Sequence, residues 1–222
     1  FARFGLEKVA NDDLSKEKLN KYLSRIEQSG ERLLSLLNNL LDLSKLDVGK
    51  FPFNPQKHSL MNIIKTSIDD VSGTALERNI TIKLIAPNTN ITIECDEEQI
   101  NQIMRNLLGN ALKFSEPNSD IDIKLALSNG SAEIAVVDRG IGIPDDELEK
   151  VFAKFEQSSK TNSGAGGTGL GLAICREFVL LHQGTIVASN NEYGGATILV
   201  TLPLEIDFPQ HLTNEERVQS NY

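Results

Sequence analysis

The stretch Ile103-Met-Arg-Asn-Leu-Leu-Gly-Asn-Ala-Leu-Lys-Phe-Ser115 decides the fold, because it joins an apolar helical pattern to a second, polar face. Asn106, Asn110 and Lys113 stand at positions i, i+4 and i+7, so they share one side of the predicted helix. The opposite side carries Ile103, Leu107, Ala111 and Phe114. A helix packed on the core therefore presents two amides and one cation to a ligand, and a magnesium nucleotide fits that trio.

The size and composition of the chain restrict what it can be. Its 222 residues with 40% hydrophobic content suffice for one sizeable core and an appendage. No apolar run approaches the roughly 20 residues that cross a bilayer, so we expect no membrane contact by this chain. It begins at Phe1 without a signal-peptide pattern. We therefore expect a piece of a longer parent protein, which could itself be anchored in the cell membrane.

Cysteine usage and charge point to a cytoplasmic protein that does not bind nucleic acid. Cys95 and Cys175 are few and unpatterned, which argues against a disulfide framework and against a zinc site. The formal net charge of -9 opposes a nucleic-acid backbone over most of the surface.

A long amphipathic helix precedes the mixed part of the sequence. Between Ser15 and Asp47, apolar residues recur in alternating steps of three and four, with Ser29 at one weak position. The repeat consists of Leu19, Tyr22, Ile26, Leu33, Leu36, Leu40 and Leu43, and further leucines at 23, 34, 37 and 41 widen the stripe. A bundle of several helices suits this width. Two interpretations stay open: a helical pair that packs on its own domain, and half of an intermolecular four-helix bundle.

The predicted domain limits follow from this pattern. Residues 1–10 read as the end of a preceding helix, with Asn11-Asp12-Asp13 as the turn. Gly49 and Pro52 end the long helix. We therefore expect a helical region at 1–50, a second domain at 51–205 and a polar tail or linker at 206–222.

Helical and strand patterns alternate after residue 51. The predicted helices cover residues 60–77, 97–114, 145–152 and 169–182, and the predicted strands cover 80–85, 91–95, 120–128, 131–137, 184–189 and 196–202. Asn129-Gly130 predicts a hairpin turn. The pattern indicates the α+β class, a two-layer sandwich in which helices cover one face of an antiparallel-rich sheet.

The apolar strand predicted at 131–137 is followed by Asp138-Arg-Gly-Ile-Gly-Ile-Pro144. This segment begins with a carboxylate, and its two glycines keep the turn free of side-chain bulk. A buried carboxylate needs a hydrogen-bond donor. The exocyclic amino group of adenine would supply one, whereas guanine would present an acceptor and leave the charge unpaired. The alternative, that Asp138 only caps the turn, stays open.

A second glycine-rich segment runs from Gly164 to Leu172 and leads directly into a predicted helix. Free amides at the start of a helix hold phosphate well. The formal G-x-G-x-x-G match lacks the strand that a dinucleotide-binding fold requires before it, and the Walker pattern is absent, so both of those nucleotide folds are excluded. The polar stretch Gln157–Ser163 is predicted to form a lid.

Four motifs occur in order: Asn106-x-x-x-Asn110-x-x-Lys113-Phe114, Asp138-x-Gly140-x-Gly142, Phe152-x-x-Phe155 and Gly167-x-Gly169-x-Gly171. Together they resemble the N, G1, F and G2 boxes of sensor histidine kinases, members of the GHKL ATPase superfamily. Leu19 to Lys50 is similar to the second helix of that family's dimerisation and phosphotransfer bundle, including its ending from Leu40 to Lys50. The resemblance implies a Bergerat-type two-layer sandwich preceded by a long helix of a dimeric four-helix bundle.

The resemblance also implies roles for individual residues. Asn110 would ligate magnesium, while Asn106 and Lys113 would contact phosphate oxygens as the catalytic pair, and Asp138 would bind the adenine amino group. The remaining residues that it places around ATP are Phe114, Gly140, Gly142, Ile143, Phe155, Gly167, Thr168, Gly169, Leu170 and Gly171.

Hydrolytic relatives carry a glutamate at the position of Asn106, and an amide cannot take a proton from water as that carboxylate does. The resemblance therefore implies a protein nucleophile, a histidine on the first bundle helix, which accepts the γ-phosphate of Mg-ATP. It further implies a homodimer through the N-terminal helices and relay of the phosphate to a response-regulator receiver domain.

The sequence departs from the family pattern in two places. The family's phosphoacceptor motif, a histidine followed by an acidic residue and Arg-[ST]-Pro, does not occur, so His58, His182 and His211 are interpreted as ordinary histidines. We therefore expect ATP binding without autophosphorylation on the usual histidine. No arginine follows Phe155, so Lys154 or Lys160 is predicted to compensate phosphate charge.

Thr197 is left out of the adenine site, because it is Ala196 that shares the inward parity of Ile198 and Val200. Two other functions stay open for the chain as a whole. One is a GHKL-type ATPase of another class, and the other is a non-catalytic dimerisation or scaffold module.

Overall fold

A computed structural model describes residues 15–48, 51–161 and 168–207, and the chain divides into two compact units between Leu43 and Ser44. The first helix, α1 (Lys16–Asp47), has 32 residues, which confirms the predicted long helix. Residues 1–10, the predicted turn at Asn11-Asp12-Asp13 and Gly49 lie outside the described residues, as does the tail from residue 208.

One side of α1 is rich in exposed leucines. They are Leu23, Leu33, Leu34, Leu37, Leu40 and Leu41. A single helix with so much exposed apolar surface favours packing against further helices. The choice between a pair on its own domain and an intermolecular bundle stays a prediction.

The second unit is an α+β sandwich, as predicted. Its elements are β1 (Gln56–Ser59), α2 (Leu60–Glu77), β2 (Thr81–Ile85), β3 (Thr92–Cys95), α3 (Glu97–Phe114), β4 (Asp120–Ser128), β5 (Ser131–Val137), α4 (Gly171–Leu181), β6 (Thr185–Asn190) and β7 (Ala196–Pro203). Five strands form one sheet in the order β2-β4-β5-β7-β6, in which β2 and β4 are parallel and the other pairs antiparallel. Helices α2, α3 and α4 pack together and against this sheet.

Two local predictions differ from the structure. The helix expected over 145–152 is wrong, because this segment forms two short 3₁₀ turns, Asp145–Glu147 and Lys150–Phe152. Eight residues gain too few helical hydrogen bonds to repay nucleation. Strand β1 was not predicted, since Gln-Lys-His-Ser shows no apolar alternation; it pairs with β3 in a separate two-stranded sheet.

Alternation along the strands builds the core. In β7, Ala196, Ile198 and Val200 are buried while Thr197 is partly exposed, which agrees with the predicted parity. The β4–β5 hairpin turns at Asn129 and Gly130, which have φ of 50° and 79°. Positive φ at both central residues is the type I′ geometry that Asn-Gly favours.

Both ends of α3 are fixed by side chains. The Asp96 carboxylate caps the start by accepting the amide of Gln99 at 3.2 Å. At the other end, the Arg78 guanidinium donates to the carbonyl oxygens of Leu112 and Ser115. These bonds satisfy carbonyl groups that a helix end leaves without partners, and they hold the polar face of α3 in place.

Both cysteines are free and buried, and burial raises the pKa of Cys95 and of Cys175 to about 12. Their thiols are therefore protonated and unreactive near neutral pH. None of the helices in the described ranges is both long enough and apolar enough to span a bilayer.

Candidate functional site

The polar face predicted on α3 is present. Asn106, Asn110 and Lys113 are each half-buried, whereas Ile103, Leu107 and Ala111 on the other side are buried. Phe114 was predicted on the apolar side but is only half-buried, and its ring lies 4.6 Å from Nζ of Lys113. This cation–π contact places the ammonium group at the end of the polar face.

Asn106 ties α3 to the beginning of α4. Its Nδ2 donates to the carbonyl oxygen of Gly171 at 3.3 Å, and a side-chain hydrogen bond also joins it to the buried thiol of Cys175. The first residue of α4 therefore lies directly beside the polar face of α3.

The Asn110 amide has no hydrogen bond to any residue in the described part of the chain. Nor do the described residues contain a group of three or more His, Cys, Asp or Glu side chains that could hold a metal ion. A magnesium ion here would therefore use the amide oxygen of Asn110 together with oxygens of the ligand and water, a donor set that suits this hard cation.

Asp138 directly follows β5 and is 9% exposed. Its Oδ1 accepts two backbone amides, from Gly140 at 2.8 Å and from Ala196 at 3.0 Å. The carboxylate therefore caps the turn, and its binding of a base stays a prediction. Its second oxygen, Oδ2, receives no hydrogen bond from the described residues, so an acceptor is left for a ligand.

Burial raises the pKa of Asp138 above its ordinary value, and the amide hydrogen bonds from Ala196 and Gly140 oppose that rise. The protein thus holds a partly desolvated carboxylate at the end of a strand. Such a group gains more from an incoming donor than an exposed carboxylate would.

The glycines after Asp138 are required by close backbone approaches. A Cβ on Gly140 would lie 2.5 Å from the carbonyl oxygen of Phe114, and an isolated β-bridge joins Gly140 to Ser115. Gly142 has φ of +65°, and a Cβ there would lie 2.7 Å from the carbonyl oxygen of Gly194. The turn consequently packs against the end of α3 without any intervening side chain.

The two phenylalanines of the F motif behave differently. Phe152 is buried at 3% exposure, while Phe155 is 61% exposed and has φ of +66°. The Phe155 amide donates to the carbonyl oxygen of Gly169 at 2.9 Å. Gly169 has φ of +68°, and a Cβ there would lie 2.7 Å from the carbonyl carbon of Phe155. The F motif and the second glycine segment are therefore in direct backbone contact.

The start of α4 has the geometry of an anion site. Thr168 Oγ1 accepts the amide of Leu170 at 3.2 Å, and the buried Leu170 precedes the first helical residue, Gly171. First-turn amides of a helix have no partners within the helix and favour negative charge. Gly164, Gly166 and Gly167 lie outside the described residues.

The first part of the predicted lid is anchored. The amide of Ser159 donates to Glu147 at 3.0 Å, and hydrogen bonds from Ser159 and then Ser158 lower the pKa of Glu147. Lys160 donates from Nζ to the carbonyl oxygen of Ile141 at 2.9 Å, so it lies beside the Asp138 turn. Residues 162 and 163 lie outside the described ranges, and the lid stays a prediction.

Sequence reasoning missed the contacts of the segment that runs from the last residue of β6, Asn190, to Gly195 before β7. Asn191 donates from Nδ2 to the backbone oxygen of Asp138 at 3.0 Å, and the Ile143 amide donates to Oδ1 of Asn190 at 2.8 Å. A Cβ on Gly195 would lie 2.6 Å from Oδ1 of Asp138. The only signal in the sequence was a run of turn-forming residues before the last strand, which predicts a turn but not its contacts.

The structure thus brings the predicted segments together. The Asp138 turn contacts the end of α3 through Gly140, the polar face of α3 contacts α4 through Asn106, and the F motif contacts Gly169. One region combines a desolvated carboxylate, two amides, a cation and the positive end of a helix. That combination matches a base, a phosphate chain and a hard metal ion.

Two family profiles match the sequence. The profile described as "Histidine kinase-, DNA gyrase B-, and HSP90-like ATPase" matches residues 95–206, and the "His Kinase A (phospho-acceptor) domain" profile matches residues 5–49. The circadian input-output histidine kinase CikA of Synechococcus elongatus is 34% identical over 190 residues, covering 84% of this chain and 25% of CikA. The sensor histidine kinase WalK of Bacillus subtilis is 34% identical over 186 residues, covering 82% of this chain and 30% of WalK.

The chain therefore spans less than a third of either relative. Among solved structures, histidine kinase ThkA in complex with the response regulator protein TrrA superimposes with a TM-score of 0.72 at 25% identity, covering 86% of this chain and 53% of that one. The isolated catalytic domain of ThkA gives a TM-score of 0.62 at 27% identity, covering 68% of this chain and 97% of that one.

Proposed function

The chain belongs to the histidine kinase family, and from that membership we propose that it is the catalytic region of a sensor kinase that moves the γ-phosphate of ATP to a histidine. The observation that carries the proposal is the convergence of the α3 polar face, the Asp138 carboxylate and the start of α4. The proposed ATP-binding domain covers residues 51–205, with helical residues 1–50 before it and a tail or linker at 206–222.

Asp138 is proposed to select the base. Because Oδ1 is already occupied by two amides, Oδ2 is the oxygen left to accept the amino group of adenine. Guanine would place its own acceptor there and leave a desolvated carboxylate unpaired. Gly140, Gly142 and Ile143 would line the pocket beside it.

The phosphate chain is proposed to lie between α3 and α4. Lys113 and the Asn106 amide would contact its oxygens from α3, and the backbone from Thr168 to Gly171 would do so from the start of α4. Leu170 fixes that backbone by its burial. Phe114, Phe155, Gly169 and, outside the described residues, Gly167 complete the proposed set.

Asn110 is proposed to hold magnesium through its amide oxygen, which has no partner among the described residues. The bound cation would neutralise phosphate charge and orient the γ-phosphate. The chain's own residues then act mainly by placement, since phosphoryl transfer needs alignment and charge stabilisation more than covalent help.

The acceptor is proposed to be a histidine of the parent protein. Asn106 cannot take a proton from water, whereas a neutral imidazole is already a nucleophile near neutral pH. His182 is unsuited, because it is fully buried, with Nε2 accepting the Asp96 amide and Nδ1 hydrogen-bonded to the Phe178 carbonyl oxygen. His58 is partly buried beside Glu97, and His211 lies outside the described residues.

The partners are proposed from the same relationship. ThkA, which shares this fold and 25% identity, was solved with a response regulator, and this supports a receiver domain as the next phosphate acceptor. The exposed leucines of α1 and the phospho-acceptor profile over residues 5–49 support homodimerisation through the N-terminal helices. Because two free cysteines suit a reducing interior, we place the reaction in the cytoplasm.

Nucleotide titration tests the binding step. The parent chain and an Asn110→Ala variant would be titrated with ATP, with and without Mg²⁺, in a calorimeter. Asn101→Ala is the matched control, because Asn101 lies on the same helix and bonds to Ser67 instead of facing the site. We expect Mg²⁺-dependent affinity that Asn110→Ala loses and Asn101→Ala keeps. Equal curves for all three proteins, without Mg²⁺ dependence, would support the scaffold alternative.

Following labelled γ-phosphate in the full-length protein, with its N-terminal acceptor helix, tests the transfer step. We expect acid-labile, base-stable protein phosphate, as a phosphohistidine gives, and its loss when Asn106 is changed to Ala. Steady release of free phosphate without labelled protein would support a GHKL-type ATPase of another class.

A further inference from the structure

The segment Asn190–Gly195, called here the asparagine turn, is hydrogen-bonded to the Asp138 backbone. Nδ2 of Asn191 donates to the carbonyl oxygens of Asp138 and Ala196, each at 3.0 Å. Oδ1 of the same side chain accepts the amide of Tyr193 at 3.0 Å. One amide side chain thus joins the end of β5, the start of β7 and the turn between β6 and β7.

The neighbouring asparagine fastens the other end of the Asp138 turn. Nδ2 of Asn190 donates to the carbonyl oxygen of Ile143 at 2.7 Å, and the Ile143 amide donates to Oδ1 at 2.8 Å. A third bond runs from Nδ2 to Oδ1 of Asp145 at 3.0 Å. Asn190 therefore pairs with the Ile143 backbone as a neighbouring strand would.

A third attachment lies on the other side of Asp138. The Arg139 guanidinium lies 4.6 Å from the centre of the Tyr193 ring and donates to Oδ2 of Asp122 at 2.8 Å. The asparagine turn is consequently joined to the Asp138 turn by hydrogen bonds at both ends and by one cation–π contact.

We infer that Asn190 and Asn191 are positioning residues which orient the Asp138 carboxylate and so set the preference for adenine over guanine nucleotides. This inference rests on the proposed function and deepens it. Both asparagines act through the Asp138 turn, because their amides bond to its backbone and to Asp145, leaving Oδ2 of Asp138 for the base.

The chemistry explains why amides stand at both positions. Each side chain donates and accepts hydrogen bonds at the same time, which a carboxylate or a methyl group cannot do. An aspartate at 190 would also face the Asp145 carboxylate at about the present hydrogen-bond distance. Loss of either amide frees one end of the turn, and small displacements of a positioned group cost large factors in binding.

The experiment measures the dissociation constants of MgADP and MgGDP for the full chain and its Asn191→Ala and Asn190→Ala variants. We expect the constant for MgADP to rise roughly 10- to 100-fold in each variant. The constant for MgGDP should change little, because guanine never used the correctly placed carboxylate. The ratio of the MgGDP dissociation constant to the MgADP dissociation constant therefore falls, and a loss of folded protein alone cannot change that ratio.

Asn118→Ala is the matched control. Asn118 accepts a hydrogen bond from Asn79 in a different pair of turns, so the variant loses the same kind of bond elsewhere. Its nucleotide preference should equal that of the parent. Thermal unfolding of every variant gives the temperature below which all of them are folded, and the titrations are done below that temperature.

The outcomes separate the two proposals. If the parent binds neither nucleotide, the proposed function fails. If the parent prefers MgADP but both asparagine variants keep that preference, or lose affinity for MgADP and MgGDP by equal factors, the positioning inference is overturned. Should Asn191→Ala not fold at any usable temperature, Asn190→Ala decides alone, because it frees the opposite end of the turn.

Discussion

The amide of Ala196 donates to Oδ1 of Asp138 at 3.0 Å, although the two residues are 58 positions apart in the chain. The reverse bond, from the Asp138 amide to the Ala196 carbonyl oxygen, is also 3.0 Å. The first residue of β7 thus fixes one carboxylate oxygen and leaves the other for a ligand. The base recognition proposed for Asp138 would therefore depend on the pairing of two strands as much as on the carboxylate itself.

Replacing Asp138 with Asn should separate stability from binding. The amide oxygen of the new side chain can still accept both backbone amides, while the desolvated charge disappears. We expect a free energy of unfolding at pH 7 equal to or above that of the parent, measured by urea titration. Adenine-nucleotide affinity should be lost, because an NH₂ donor would then face the donor of the base.

Asp138→Ala provides the contrast, since it leaves the amides of Gly140 and Ala196 without an acceptor. That variant should lose about 1–3 kcal/mol of stability. If Asp138→Asn is destabilised as strongly as Asp138→Ala, the desolvation argument is wrong.

Adding one methyl group at Gly195 should damage the site. The new Cβ would overlap the backbone oxygen of Asp138 and lie 2.6 Å from its Oδ1. We expect Gly195→Ala to cost about 1–3 kcal/mol of stability and to weaken nucleotide binding. Differential scanning calorimetry and titration with ADP measure the two effects.

Gly73→Ala is the matched control, because a Cβ at Gly73 in α2 meets nothing within 4 Å. It should gain roughly 0.5–1 kcal/mol from the higher helix propensity of alanine and leave nucleotide binding unchanged. Unchanged stability and nucleotide binding in Gly195→Ala would show that the backbone around residue 195 shifts easily and does not constrain Asp138.

The two phenylalanines of the F motif should give opposite results. Phe152 is 3% exposed, so Phe152→Ala should cost about 3–5 kcal/mol of stability. Phe155 is 61% exposed, so Phe155→Ala should stay within about 0.5 kcal/mol of the parent while lowering nucleotide affinity. Chemical denaturation and nucleotide titration of both variants check this. Comparable destabilisation by both, with no loss of affinity in Phe155→Ala, contradicts the assignment.

His182 should make the protein less stable in mild acid. Burial lowers the pKa of His182 below 6.5, although the Phe178 carbonyl and Asp96 oppose this. As the pH falls below 6.5, the unfolded chain therefore takes up a proton that the folded chain refuses, and unfolding becomes easier. The slope should reach at most about 1.4 kcal/mol per pH unit.

Urea titrations at pH 7.5 and 5.5 measure this loss for the parent and for two histidine variants. His182→Gln should be less stable overall but should lose less stability between the two pH values. His58→Gln keeps His182 and should therefore still lose more stability between the two pH values than His182→Gln does. A loss in His182→Gln as large as the parent's would mean that other groups cause the pH dependence.

Much of the fold could be predicted because it depends on local patterns. Helices α2 and α3 and the β4–β5 hairpin have the predicted limits, since their apolar periodicity and the Asn129-Gly130 turn act over neighbouring residues. Strand β1 was missed because its pairing with β3, not its own residue pattern, makes it a strand.

The candidate site likewise combines features that the sequence predicts with features that it does not. The shared face of Asn106, Asn110 and Lys113 follows from helix geometry, and the glycines around Asp138 follow from the bulk that a tight turn excludes. The contributions of Asn191 and Gly195 could not be predicted, because they arise where β5 and β7 pair across the sheet.

By itself, the sequence determined the chemical groups of this protein and the local elements that carry them, because periodicity and turn chemistry act between residues close in the chain. Only the tertiary structure decided which oxygen of Asp138 is left for a ligand and which asparagines hold the turn. Those bonds join residues about 50 positions apart, and their geometry exists only once the strands have paired.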